Sequence, residues 1–507
     1  MRLKANSVRA ILLVSAVIVT ACGDSKATSE AARQDPKPAD VDLKIEKVKE
    51  LPPSVASAGS NPEPVPLPTS GEACNGTPVR TVEALQRAVA NSQTIALSAG
   101  VFELPQSLRL QTGTTLCGQG ADKTTVRGAA TWQPGLGLLP KLEDPNAYLF
   151  IVEGQNNVTI RDMSLQGPQL HGAVYGKRSQ RLTLAGLELR DFMWSSVRTF
   201  NMVQTRIHDN DFIDAGGYIE KEIDGKIRRA VGGVLFDQNP QECEVWNNRV
   251  RASGKGDRRF FGFKGRSGRN CRFHHNDIRS RFAIEYPFDN IFGFEIDHNY
   301  IEGTISIPKF GGGPVLDSSA LAVHIHHNVI RRSYAIEFAR NNVRINHNLF
   351  DFKPQENQGN LISDHGRQPS PGPLLMQNNL IQNVGRGIFW SRPGYNNVEF
   401  INNHVRALGN PQPLALFQFN PSTDFQSIKI AGNIFESAPD SPRPLLQDGI
   451  GSNAIIENNK LTNILDSGLY ANPQTGGSVG PTEPLQFRAG VRDEIQVDQW
   501  TTTGVRP

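Results

Sequence analysis

Between Phe282 and Phe352 apolar and polar residues alternate in short words that repeat. FEIDHNYIEG, VHIHHNVIRR and VRINHNLFDF each run an alternating strand into an Asn and out into a second short strand. Two near-identical apolar runs, FAIEY (Phe282 to Tyr286) and YAIEF (Tyr334 to Phe338), lie between the copies, each carrying one Glu. With the central Asn as marker, the word recurs at Asn210, Asn248, Asn276, Asn299, Asn328, Asn348, Asn379, Asn403, Asn433 and Asn459, in steps of 20 to 38 residues. Asp162 and Gly186 are read into the same slot. The strand words keep their length while the connections vary. One such turn cannot bury its own apolar face, so the pattern predicts a solenoid whose successive parallel strands lie about 4.8 Å apart. An amide suits a tight, left-handed corner, and identical amides one turn apart can hydrogen-bond along the axis. The ten Asn residues are therefore read as a structural ladder, with no catalytic role.

Ahead of the repeat, Val82, Leu85, Ala88 and Val89 fall at helical spacing behind Thr81 as N-cap, which predicts a short amphipathic helix over Thr81 to Ala90. Brief strands follow in TIALSAGVFEL, LRLQTGTTLCGQG and TTVRG. Two insertions, Gly216 to Gly233 and Lys353 to Gly359, read as loops bordering a binding face. After Asn459 the pattern fades, and Pro484 to Trp500 reads as a terminal cap.

The ends and the composition add the setting. Arg2, Lys4 and Arg9 precede an apolar run, Ala10 to Val19, too short to span a bilayer comfortably, and Val19-Thr20-Ala21-Cys22 closes it. This resembles a bacterial lipoprotein signal, which implies that residues 1–21 are removed, that Cys22 carries the lipid, and that the chain is an outer-membrane lipoprotein of the cell envelope. Residues 22–73, rich in Pro, Ala, Ser, Glu and Lys, read as a disordered tether, and 74–507 as one β-helix domain. The formal net charge of +3 over 507 residues gives no sign of a nucleic-acid partner, and the chain is read as a monomer. The charge is unevenly spread, with eleven Lys or Arg and two Asp between Arg249 and Arg281. That block reads as a track for an anionic polymer. Cys74 and Cys117 could staple the start of the fold. Cys243 and Cys271, each five residues before a ladder Asn, should face each other on adjacent turns, as a disulfide or as two packed thiols.

The repeat, the Asn ladder and the helix-then-strands start together resemble the pectate-lyase-like superfamily of right-handed parallel β-helices, over roughly residues 74–507. The resemblance implies an all-β, single-stranded right-handed parallel β-helix with an N-terminal capping helix, and a class of proteins that act on or bind polysaccharides. The polygalacturonase set is absent, with DHG at Asp364 to Gly366 a partial echo. EIDH at Glu295 to His298 is a weak relative of the pectate-lyase WIDH, whose companion RxPxxR is missing.

In that superfamily most sites sit on the strand that follows the variable loop, here GFKGR (262–266), AIEYP (283–287), ISIPK (305–309), AIEFA (335–339), ISDHG (362–366) and IFWSR (388–392). With Ile284 and Ile336 turned inward, period-two alternation sends Glu285 and Glu337 outward on one row, with Ser306 between them. Three readings stay open. In an acidic-polysaccharide lyase, Glu285 and Glu337 anchor charge or calcium, Lys309 or His365 takes the proton α to a uronate carboxylate, and Arg340 neutralises the sugar acid or assists the leaving oxygen. Lys264, Arg266, Arg392 and Trp390 then bind substrate. In an inverting glycoside hydrolase the two Glu residues are acid and base. In the third the chain is a non-catalytic carbohydrate-binding surface lipoprotein. His275, His298, His327 and His347, each just before a ladder Asn, are read as a structural stack at the strand corner.

Overall fold

The computed structural model describes residues 74–465 except 92, 133, 135–143, 215–217, 224–225, 232, 237–238, 252–260, 266, 281, 286–290, 308–320, 332–335, 339–341, 353–359, 365–369, 385, 392–394, 408–414, 420–426, 440 and 447–453. Cys22, the tether and the expected C-terminal cap lie outside these residues. Among them no helix is long and apolar enough to cross a membrane.

Each turn of the chain lays down three strands. Arg272–His274, the Asn276 corner, Asp277–Ile278 and Phe282–Glu285 make one turn; Phe294–Asp297, Tyr300–Ile301 and Thr304–Ile307 make the next. Every strand pairs in parallel with its counterpart one turn away. The strands on either side of the Asn corner belong to a 27-stranded sheet, and the third strand of each turn joins a 12-stranded sheet running from Leu108–Arg109 to Phe417–Phe419. This is a right-handed parallel β-helix, the hand that parallel crossovers adopt.

The interior is a set of columns. Ile284, Ile305, Ile336 and Ile362 are in register on four successive turns and fully buried, and Phe389 and Phe417 extend the column. β-Branched side chains stacked this way fill a pleated, buried surface well. The helix occupies Val82–Asn91, with the Thr81 hydroxyl accepting from the Ala84 N–H at 3.2 Å. Its Leu85, Ala88 and Val89 pack into the same core as Val79 and Ile95, covering the end of the first turns.

The ladder is continuous from Asn210 to Asn459. Each Nδ2 donates to Oδ1 of the next Asn at 2.9–3.2 Å, and the second Nδ2 hydrogen goes to main-chain carbonyls. One part of the expectation is corrected. The left-handed residue is the one before each ladder Asn, such as His298 at φ 52° or Asn378 at φ 55°. Asp162 and Gly186, at φ 59° and 61°, fill that preceding position, so they align with Asp209 and not with Asn210. Leu187 takes the ladder slot and donates its N–H to Asn210 Oδ1 at 2.9 Å.

Both cysteine pairs are disulfides. Cys74–Cys117 joins Cα atoms 6.1 Å apart, and Cys243–Cys271, with Cα atoms 4.4 Å apart, clips two adjacent turns.

At the corners the four imidazoles stack as expected. Ring centroids from His275 to His298, His327 and His347 are 5.1, 5.1 and 5.2 Å apart, with the planes within 9°. Histidine is among the few residues that accept this left-handed geometry. Burial, followed by the neighbouring imidazoles, pushes His327 down to about 4 and lowers His275 as well, with Asp297 opposing the shift in both. A depressed folded-state value means the unfolded chain binds the proton more readily, so this contribution is complete above about pH 6.5 and is lost on acidification. In chelator-treated protein the urea midpoint should therefore fall between about pH 7.5 and about pH 5.5. His275→Asn, which keeps the left-handed corner, should shrink that fall; an unchanged pH dependence would show that the stack does not set it.

Candidate active site on the second sheet

The register of the 12-stranded sheet carries Lys264, Glu285, Ser306, Glu337, Ser363, Trp390 and Gln418 on one row over seven turns. Its positions alternate with those of the Ile284–Phe417 column along each strand. Lys264 Nζ lies 2.7 Å from Glu285 Oε2, with the two side chains 25% and 12% exposed. Glu285 is thus a partly sheltered carboxylate in an ion pair. Ser306 is buried on the following turn.

The strand carrying Glu285 is irregular just where it matters. Phe282 pairs with Thr304 and Ile284 with Ile305, so Ala283 is an extra residue, a bulge two positions before Glu285. Bulges re-aim a side chain and are over-represented next to active sites. Gly262 on the preceding turn accommodates the bulge, since a Cβ there would collide with the Ala283 carbonyl.

Of the residues singled out in the sequence, the row brings together Lys264, Glu285, Glu337 and Trp390 by register. The side chains of Glu337 and Trp390, and all of Lys309, Arg340, His365, Arg266 and Arg392, lie outside what the structure describes. Of the Phe389–Trp390 pair, Phe389 points into the core.

Four of the described arginines of the basic block are paired with carboxylates. Arg249 and Arg251 both bind the buried Asp211, with Nη2–Oδ2 distances of 2.5 and 2.8 Å. Arg272 binds Asp297 at 2.8 Å, and Arg279 binds Asp277 at 2.9 Å. These four arginines belong to the first sheet or its edge, and an internal carboxylate compensates each. Of the block's described cations, Lys264 is the one on the second-sheet row. Arg249, Arg251 and Arg272 take their partners from a neighbouring turn, where counting charges along the chain does not find them, and Arg279 takes its partner from two residues earlier.

The insertion at Gly216 to Gly233 contains an antiparallel hairpin, Tyr218–Ile223 with Lys226–Val231. It leaves the chain between Asp211–Ile213 and Val234–Phe236, and Leu235 pairs with Lys264, so it emerges one turn before the row begins.

Two groups went unread in the sequence. On the first part of the second sheet, Arg198 is buried 4.4 Å over the Trp194 ring and 4.5 Å over Phe200, beside Tyr175 and Tyr148. On the outer face of the first sheet, Glu295, His324 and His326 converge, with His326 Nε2 2.9 Å from Glu295 Oε1. The signal was present in VHIHH, where positions two apart in a strand must share a face.

No family model and no curated protein matches this chain. Among solved structures it is similar to PfbA, a surface adhesin of Streptococcus pneumoniae (10% identity, TM-score 0.41, covering 75% of this chain and 87% of that one). It is also similar to the tailspike protein of E. coli bacteriophage HK620, solved with a pentasaccharide (10% identity, TM-score 0.45, 75% of each chain). A third is the mannuronan C-5 epimerase AlgE4 A-module of Azotobacter vinelandii (14% identity, TM-score 0.33, covering 78% of this chain and 94% of that one). At these identities the likeness is one of fold and says nothing of what this chain does. Three strands per turn, two multi-turn parallel sheets and an unbroken Asn ladder make the chain a right-handed parallel β-helix.

Proposed function

We propose that this protein acts on an acidic polysaccharide and cleaves it by β-elimination, with the polymer lying along the second-sheet row. The observation that carries the reading is the Lys264–Glu285 pair at 2.7 Å, set behind a bulge at the head of a row that repeats polar residues on successive turns. A linear polymer matches a row whose positions recur about every 4.8 Å. Elimination needs a cation at the uronate carboxylate to stabilise the charge that develops when the α-proton leaves. In this reading Lys264, oriented by Glu285, supplies that cation. Glu285 and Lys264 act as a unit, Arg340 neutralises the sugar acid or assists the leaving oxygen, and Lys309 or His365 removes the proton.

Calcium on Glu285 and Glu337 fits less well, because the Lys264 ammonium already occupies a Glu285 oxygen. Bound there, the ion would neutralise the uronate carboxylate in place of Lys264.

One observation favours the hydrolase reading. Glu285 and Glu337 are two turns apart in exact register through Ser306, a backbone separation of about 9 to 10 Å. Inverting glycosidases hold their carboxyl groups about 6.5 to 9.5 Å apart. With Glu285 held by an ammonium, Glu337 would be the acid.

The test is ultraviolet absorbance of the C4–C5 double bond after incubation with a panel of uronate polymers, with and without calcium. Elimination predicts a rise that either Lys309→Ala or His365→Ala abolishes, according to which of the two is the base. Reducing ends without that absorbance would establish hydrolysis in its place, and neither signal on any polymer would leave binding alone.

A further inference from the structure

The outer face of the first sheet holds chemistry that the second-sheet row does not use. Strand Phe294–Asp297 and strand Val323–His326 are neighbours in register, Glu295 opposite His324 and Asp297 opposite His326. Alternation puts Glu295, His324 and His326 on the outer side together. The two imidazole centroids are 4.1 Å apart, tilted by 39°. One ligand atom from each of the three residues lies within 4.8 Å of the other two. Both imidazoles are held from behind: Asn346 Oδ1 lies 2.6 Å from His324 Nε2, and His327 Nδ1 lies 2.8 Å from His326 Nδ1.

From this geometry we propose that Glu295, His324 and His326 form a binding site for one divalent transition-metal ion of the zinc class. Two imidazoles and a carboxylate, projecting from adjacent rigid strands, are the donor set of a three-ligand site with a fourth position left to water. Zn–N and Zn–O bonds of about 2.0–2.2 Å place donors roughly 3.3 Å apart, so the widest separation among the three needs to close by about 1.5 Å at most around the ion. The His326 Nε2–Glu295 Oε1 separation of 2.9 Å is already that short. The ion would replace the proton now shared between them.

Neighbouring charges cut both ways. Arg272 lies 3.5 Å from Glu295 Oε2 and competes for it, and Arg344 follows His324 in register. Asp297, fully buried, already holds Arg272 at 2.8 Å and His298 at 2.8 Å, so most of the arginine charge is compensated next to the site. The proposal concerns the first sheet and does not depend on the polysaccharide reading of the second.

The experiment uses the full chain stripped with a chelator and titrated with cobalt(II), following the visible ligand-field band, then displaced with zinc(II). One equivalent should bind, and Glu295→Gln, His324→Gln and His326→Gln should each weaken binding about tenfold or more. His404→Gln is the control: His404 pairs with Glu436 at 2.8 Å on the same sheet, outside the one three-ligand cluster found among the described residues, and its loss should leave the titration unchanged. Zinc anomalous scattering from wild-type crystals gives a readout that needs no variant, with density expected between the three side chains. Absence of a band, equal affinity in the three variants, an equal loss in His404→Gln, or zinc located elsewhere would each overturn the assignment.

Discussion

Lys264→Ala is expected to lower turnover of the cleaved polymer by about 10²–10³-fold, the usual effect of removing one preorganised group from a developing charge. The drop should appear in kcat, because the ammonium matters most when negative charge builds on the uronate. The same change removes the partner 2.7 Å from a Glu285 side chain that is only 12% exposed. Stability must therefore be separated from catalysis. Breaking a buried pair by removing one member costs about 3–5 kcal/mol, and the 25% exposure of Lys264 discounts this through solvent screening. The double variant Lys264→Met/Glu285→Leu should regain most of the lost stability, since no charge is left without a partner, and should stay inactive. Recovery of activity in the double variant, or full activity in the single one, would remove the row from the mechanism. A double-mutant cycle on the urea midpoint and on kcat gives the two coupling energies independently.

Asn328→Ala is expected to destabilise the domain by about 3–4 kcal/mol. Its Nδ2 donates to the carbonyls of Ile296 and His326 at 2.8 and 2.9 Å and to Asn348 Oδ1 at 3.0 Å. Its Oδ1 accepts from the backbone N–H and Nδ2 of Asn299, at 3.0 and 2.9 Å. Truncation removes these bonds together, and the donors of Asn299 are left in a site with no access to water. A buried donor without a partner costs about 1–3 kcal/mol, more than the net value of a bond that water could replace. Asn459 ends the ladder as described: it accepts from Asn433, and its own Nδ2 reaches the Ile430 carbonyl at 2.7 Å. Asn459→Ala should cost about half as much. Urea denaturation compares the two, and equal losses, or a loss under about 1 kcal/mol at Asn328, would refute a cooperative ladder.

The contrast between the ladder and the basic block shows what a linear reading can reach. Each ladder Asn is legible because its role depends on local rules: a strand of fixed length, a corner, another strand. The corner itself was misread by one residue at Asp162 and Gly186, because positive φ and amide stacking are properties of adjacent positions and a sequence word does not separate them. Charge partners lie at the other extreme. Arg249 and Arg251 find Asp211, 38 and 40 residues earlier, and Arg272 finds Asp297, 25 residues later. Those intervals follow from connection lengths, which nothing in the strand words dictates.

Legible in the sequence alone were the β-helix, the ten-membered Asn ladder, the corner stack of imidazoles, and the shared register of Glu285, Ser306 and Glu337. All of these are consequences of period-two alternation and of a word repeated at each turn. The tertiary structure alone pairs Lys264 with Glu285, sets Arg249, Arg251, Arg272 and Arg279 against carboxylates, bonds both cysteine pairs and brings Glu295 to His324 and His326. Apart from that of Arg279, such contacts join neighbouring turns, and a one-residue change in bulge or loop length shifts which side chains stand opposite each other.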